Sequence, residues 1–98
     1  MGHQHHNLKT LPHFFQQTWD GDKLFEIRFN GDRQYQKDDT VTLKEYDPNK
    51  SAVEGSRYTR REITGRITFV TTFAQVGEFV VFGLLVTEKE DNRRETWI

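Results

Sequence analysis

Weakly polar and apolar residues at Leu11, Phe14, Phe15, Thr18 and Trp19 recur at i, i+3, i+4, i+7 and i+8, which draws one stripe along a helix. Pro12, His13, Gln16, Gln17 and Asp20 fall on the other face. Thr10 is placed as the N-cap, Pro12 sits in the first turn where its missing N–H costs little, and Gly21 is placed to end the helix in a left-handed conformation. Ahead of the helix, His6 to Lys9 reads as a short strand.

From Lys23 the period changes to two. Phe25, Ile27 and Phe29 share one face and Leu24, Glu26 and Arg28 the other, the alternation of a half-buried strand. Asn30, Gly31 and Asp32 turn the chain, Asp38 and Asp39 turn it again, and Val41 to Tyr46 forms a further strand that Asp47 and Pro48 terminate. Residues Asn49 to Ser56 read as a loop. Between Glu62 and Val70, Ile63, Gly65, Ile67 and Phe69 alternate with Glu62, Thr64, Arg66 and Thr68, the polar set facing solvent. Phe79 to Val86 is continuously apolar, which predicts a strand covered on both faces and the most buried of the set, with Gly83 marking a bulge or a close backbone approach. Residues 88–98 read as a charged segment that ends loosely unless Trp97 and Ile98 dock back. Several strands, one early helix and turn-rich connections predict a mainly β (α+β) fold, a small antiparallel barrel with one or two short helices, rather than a βαβ arrangement.

Composition narrows this picture. A chain of 98 residues has room for one core, read here as residues 6–87, with residues 1–5 as a leader or tag remnant. The absence of cysteine removes disulfides, thiolate metal sites and cysteine nucleophiles, and permits a reducing compartment, so a cytoplasmic setting is expected. No stretch is apolar and long enough to cross a bilayer as a helix, so no membrane partner is expected. A net charge of -1, from 14 Lys and Arg against 15 Asp and Glu, gives no global pull toward long nucleic acids. An anionic partner must then be held by a local cluster. His3, His5 and His6 resemble a metal cluster but lie at the very start without a defined further ligand, so no metal and no cofactor are expected.

Gly21-Asp22-Lys23-Leu24-Phe25-Glu26-Ile27-Arg28 spells G-x-K-x-x-E-x-R directly after the first helix. With His6-Asn7-Leu8-Lys9 and Leu11-Pro12 before it, and Asn30, Asp32, Arg33, Val41 to Tyr46 and Tyr58 to Ile63 after it, the series resembles the ASCH domains of the PUA-like superfamily. Within them it is similar to a small bacterial and phage family known only as a domain of unknown function. The resemblance runs from His6 to about Val86 and implies a PUA-like pseudo-barrel with a cleft beside the first helix, used by relatives for RNA or modified nucleosides. Some ASCH proteins are hydrolases. In those similar to the N4-acetylcytidine amidohydrolase, a Thr stands three residues after the motif Lys, where this chain has Glu26, and a carboxylate cannot replace a hydroxyl nucleophile without changing the chemistry. Asp38 is a second departure, standing where relatives often have Gly, although Asp tolerates left-handed geometry comparatively well.

Glu26 and Arg28, two apart on one strand, share a face at roughly 7 Å. Lys23 has the opposite parity and joins them only if the chain after Gly21 is irregular, a convergence the family implies rather than the spacing. Lys23 and Arg28 would then hold a phosphate or carbonyl oxygen, and Glu26 would accept from an exocyclic amine or orient Lys23; the alternative is a surface ion-pair cluster. Glu45 has the parity of Val41 and Leu43, so it points inward and is either a candidate acid or base or the partner of a structural salt bridge. Lys9, Arg33, Arg60, Arg61 and Arg66, with Tyr35 and Tyr58 between them, are candidates for extending the site along RNA by phosphate contact and stacking, or else charges that solvate the strands. His6 has some claim to the cleft through the family pattern. Trp19 is assigned to the core and His13 to solvent. The leading expectation is an RNA- or modified-nucleotide-binding module, monomeric or weakly dimeric. A small hydrolase using Lys23 with Glu26 or Glu45 is the alternative, and a phage or host protein-interaction module, marked by an exposed apolar patch away from the cleft, is the third.

Overall fold

The structure, a computed structural model, describes residues 2–50 and 56–93. Strand β1 (His5–Thr10) leads into helix α1 (Pro12–Trp19), followed by β2 (Phe25–Phe29), β3 (Thr40–Tyr46), β4 (Tyr58–Thr71) and β5 (Phe79–Asp91). All five strands form one sheet in the order β1-β3-β4-β5-β2. The β1–β3 pair is parallel and the other three pairs are antiparallel. The fold is mainly β, a sheet curled into a half-barrel with one short helix. Arg28 on β2 reaches the Lys9 carbonyl and the Thr10 hydroxyl on β1, so curling brings the two edges of the sheet within one side chain of each other.

The inner face carries the core. Leu8, Leu43 and Ile63 form one cross-strand row, Val41 and Gly65 part of the next, and Val70, Phe82 and Glu26 a row near the far edge. Phe15 of α1 joins this core and is fully buried, with Trp19 packed beside it. A side chain of the Phe15 or Phe82 type contributes about 2–3 kcal/mol when removed from water, so the helix is held mainly by this burial. At Gly65 an added Cβ would lie 2.6 Å from Leu84 Cδ1 and 2.7 Å from the Leu85 carbonyl oxygen, and only glycine permits β4 and β5 to approach there.

Helix α1 begins one step later than its stripe suggests. Leu11, forced toward extended backbone by the following proline, is the N-cap (φ -66°, ψ 149°), and Thr10 closes β1 instead of capping the helix. At the other end Gly21 has φ +85°, with its N–H bonded to the Thr18 carbonyl and the Asp22 N–H to the Gln17 carbonyl, the left-handed closure expected. Asp38 also takes positive φ, 75°.

Three expectations are corrected. The buried face of β2 is that of Glu26, whereas Phe25, Ile27 and Phe29 are exposed. Strand β5 is not covered on both faces: Val80, Phe82 and Leu84 are buried but Phe79 and Leu85 are exposed, because the sheet has one packed layer only. In β4 a bulge between Ile67 and Phe69 turns Phe69 outward. A Cβ at Gly83 would lie 2.7 Å from Thr68 Oγ1 at this bulge, so the close approach expected there is present.

The sheet also passes both ends of the 6–87 unit. The Gln4 carbonyl accepts from Thr40 N–H and His5 lies within β1, while β5 continues through the charged residues to Asp91. Trp97 and Ile98 lie outside the described residues. Among the described residues no helix is long and apolar enough to cross a membrane, and no three His, Cys, Asp or Glu side chains cluster as metal ligands.

Candidate functional site

Gly21 reverses the chain out of α1, and the Asp22 and Lys23 N–H groups both return to the Gln17 carbonyl, so Lys23 leaves the helix end on irregular backbone rather than in strand geometry. That irregularity cancels the parity mismatch with Glu26. Lys23 Nζ lies 2.5 Å from Glu26 Oε2 and donates to the Phe25 carbonyl at 2.7 Å. From the other side, Arg28 Nε donates to Glu26 Oε1 at 2.9 Å. The three side chains converge, the carboxylate buried between an ammonium and a guanidinium and each flank partly open.

They form one end of a cleft of about 500 Å³ between α1, the end of β1 and β2, its remaining lining drawn from Lys9, Thr10, Leu11, Phe14, Gln17, Phe25 and Ile27. Every one of these residues falls within 9–28. Lys23 Nζ stands 5.0 Å from the centre of the Phe25 ring and 5.8 Å from that of Phe14, and both rings are close to half exposed. The cluster carries one net positive charge beside two accessible aromatic faces. Lys23 retains one unused N–H, since two of its three are committed. Arg28 commits three of its five donors, to Glu26, the Lys9 carbonyl and the Thr10 hydroxyl (NH2 to Oγ1, 3.0 Å). Arg28 therefore bridges the two walls of the cleft, and both cations keep donors unused.

Both Glu26 oxygens accept charged donors, which leaves Glu26 suited to hold Lys23 and Arg28 in place. Glu45 is separate from this cluster. It is buried on β3 and takes Arg61 Nε at 2.8 Å, Arg61 NH2 at 3.0 Å and the Thr59 hydroxyl at 2.6 Å. Burial alone would raise its pKa, but these donors outweigh burial and hold the carboxyl below its ordinary range. Arg61 also donates to Gln16 at 2.8 Å and stacks over Phe15 and Trp19, so the pair fastens α1 to the sheet.

The other predicted contacts divide. Lys9 lies over the Tyr46 ring at 4.3 Å and lines both the cleft and a second hollow of about 580 Å³, shared with Lys44, Tyr58 and Arg60. Lys9, Tyr58 and Arg60 thus remain disposed along a continuous surface. Tyr35 does not: it is buried between His6 (ring centres 4.6 Å) and Phe82 (5.0 Å), where desolvation pushes its hydroxyl pKa up. Tyr35 is thereby core, with no face for a base to stack upon. His6 is buried with it, bonded to Asp39 Oδ2 at 2.9 Å. Arg33 reaches the Asn7 carbonyl at 3.5 Å and Arg66 pairs with Asp38 at 2.8 Å; neither lines the cleft.

Sequence reasoning missed the cleft walls. Leu11 and Phe14 belong to the same helix stripe as the buried Phe15 and Thr18, and Phe25 alternates as a strand residue, so periodicity does not set them apart. The signal that separates them is adjacency to Lys23 across the helix-ending glycine.

No curated protein matches the chain. A family model described as Domain of unknown function (DUF3850) matches residues 5–84, from the start of β1 into β5 and including every cleft residue. The chain belongs to that DUF3850 family.

Proposed function

We propose that the domain binds a nucleotide, modified nucleoside or short RNA segment in the cleft between α1 and β2. One observation carries this reading: Lys23, with a free donor and two half-exposed phenylalanine rings beside it, is held in position by a buried carboxylate that Arg28 also braces. An ammonium meets a phosphate or carbonyl oxygen as a point charge, and an aromatic face stacks on any base. Such a site takes a planar, oxygen-rich anion better than a purely apolar or purely ionic ligand. The second hollow beyond Lys9, with Tyr58 and Arg60, offers a path for an adjoining nucleotide.

The G-x-K-x-x-E-x-R signature and the position of the cleft beside the first helix support grouping this domain with ASCH domains of PUA-like architecture, and a cysteine-free chain suits a cytoplasmic setting. Hydrolysis has less support, because both oxygens of Glu26 and of Glu45 are engaged by cationic donors, which weakens either carboxylate as a base.

Calorimetric titration with short RNAs and a nucleoside panel tests the reading. Wild type is expected to bind at least one of these ligands, with Lys23→Ala and Phe14→Ala each weakening binding. Indifference of both variants, or no ligand bound by wild type, would rule it out.

A further inference from the structure

We propose that the outer face of β2 and β5 is the interface through which two copies of this chain pair. The register sets three outward rows: Phe25 beside Gly83 and Phe69, Ile27 beside Val81 and Thr71, and Phe29 beside Phe79. None of these positions is charged. Phe25, Ile27, Phe29, Phe69 and Phe79 are each between 43% and 61% exposed, where a strand of a one-layer sheet ordinarily turns polar residues to water. Phe29 and Phe79 meet edge to face at 5.7 Å, a cross-strand pair formed on the solvent side. Between the Phe25 and Phe69 rings Gly83 contributes no side chain, and the Thr68 hydroxyl closes onto the space its Cβ would take.

The occupant follows from area and charge. Five half-exposed side chains present roughly 100 Å² apiece, about 500 Å² together. Phe73 and Val76, in the β4–β5 turn next to the Phe79 row, are 86% and 85% exposed and raise the apolar face toward about 800 Å², the contribution of each partner to a stable interface and more than the largest patch of an ordinary monomer. A partner of opposite charge has nothing to grip there. A second copy supplies an equal, uncharged face, and at a net charge of -1 per chain repulsion between copies is slight. Pairing in a two-fold manner also covers the outer side of Phe25 and Ile27, where the ligand cleft begins, so the two surfaces meet along β2.

Sedimentation of the full chain across a micromolar-to-millimolar series tests the proposal. Phe69 and Phe79 lie outside the cleft, so Phe69→Glu and Phe79→Glu separate loss of pairing from loss of ligand. Wild type is expected to sediment as a dimer that dissociates on dilution, each variant to dimerise roughly tenfold or more weakly with unchanged circular dichroism, and Glu88→Lys, farther along β5, to pair as wild type does. A wild type that stays monomeric throughout overturns the proposal, including when the face proves to be covered by a different protein or by other parts of the chain. So does a dimer that both glutamate variants leave intact.

Discussion

Arg28 on β2 donates through its NH2 to the Thr10 hydroxyl at the end of β1, 3.0 Å away, and so ties together the first and last strands of the sheet order. The same guanidinium holds Glu26, which makes one residue both the clasp of the half-barrel and a wall of the cleft. Replacing Arg28 by Ala removes the clasp and leaves a buried carboxylate with one partner. The expected cost is about 2–4 kcal/mol in urea unfolding. Arg28→Lys recovers little of it, since one ammonium cannot reach Glu26, the Lys9 carbonyl and Thr10 together.

Glu26→Gln keeps the shape of the cleft but raises its net charge from +1 to +2. Stability falls by about 1–3 kcal/mol, because a neutral amide faces two cations. Affinity for phosphate-bearing ligands rises and its salt dependence steepens, measured by titration at two ionic strengths. A fall in affinity for such ligands would mean that Glu26 itself contacts the ligand.

Phe14 contributes little to the core, being exposed at one face. Phe14→Ala is expected to change unfolding free energy by less than about 1 kcal/mol, yet to weaken binding of a stacked base by roughly 5- to 100-fold, the range for one base–aromatic stack. Chemical denaturation and calorimetry on the same sample separate the two effects.

Acid is expected to destabilise the fold through two internal carboxylates, Asp39 and Glu45. Burial alone would raise the pKa of Asp39, but donors from His6 and the Gln4 and Gln36 N–H groups outweigh it, so its folded pKa lies below 3.8. Glu45 is likewise held below 4.5, chiefly by Arg61 against its own burial. A depressed folded pKa gives stability that is complete above the unfolded value and lost as pH drops through the folded one. The melting temperature is therefore expected to fall between about pH 5 and about pH 3, and Asp39→Asn to flatten part of that slope.

Gly65→Ala forces a methyl against the Leu85 carbonyl and Leu84 Cδ1. The backbone atom cannot move without opening the β4–β5 pairing, so a loss of about 1–3 kcal/mol is expected by thermal unfolding. Gly83→Ala meets only a rotatable threonine hydroxyl and costs less.

The strands and the helix were legible because their alternation reports local geometry: Val41, Leu43 and Glu45 point inward as their shared parity requires. Parity identifies which residues share a face, but which face is covered is a tertiary matter. On β2 that gap inverted the outcome, since a glutamate flanked by Lys23 and Arg28 is satisfied indoors while three apolar neighbours stay in water. Phe69 escaped for another reason: a bulge resets the period and leaves no mark in a single sequence. Tyr35 sits in a turn-rich stretch where no periodicity exists, and the bond from its N–H to Asn30 Oδ1 and the ring contacts with His6 and Phe82 hold it inside. The convergence of Lys23 with Glu26 and Arg28 was legible only through the motif, because irregular backbone after a glycine carries no parity.

The cleft is drawn from one uninterrupted stretch, Lys9 to Arg28, while most of the core comes from β3, β4 and β5. Under the function proposed above, recognition and scaffold fall in nearly separate stretches of the chain. On that reading, substitutions that retune the cleft accumulate in that short window while the later strands keep the molecule folded, and a graft of those residues onto a sister scaffold would transplant the cleft but not the neighbouring hollow of Tyr58 and Arg60.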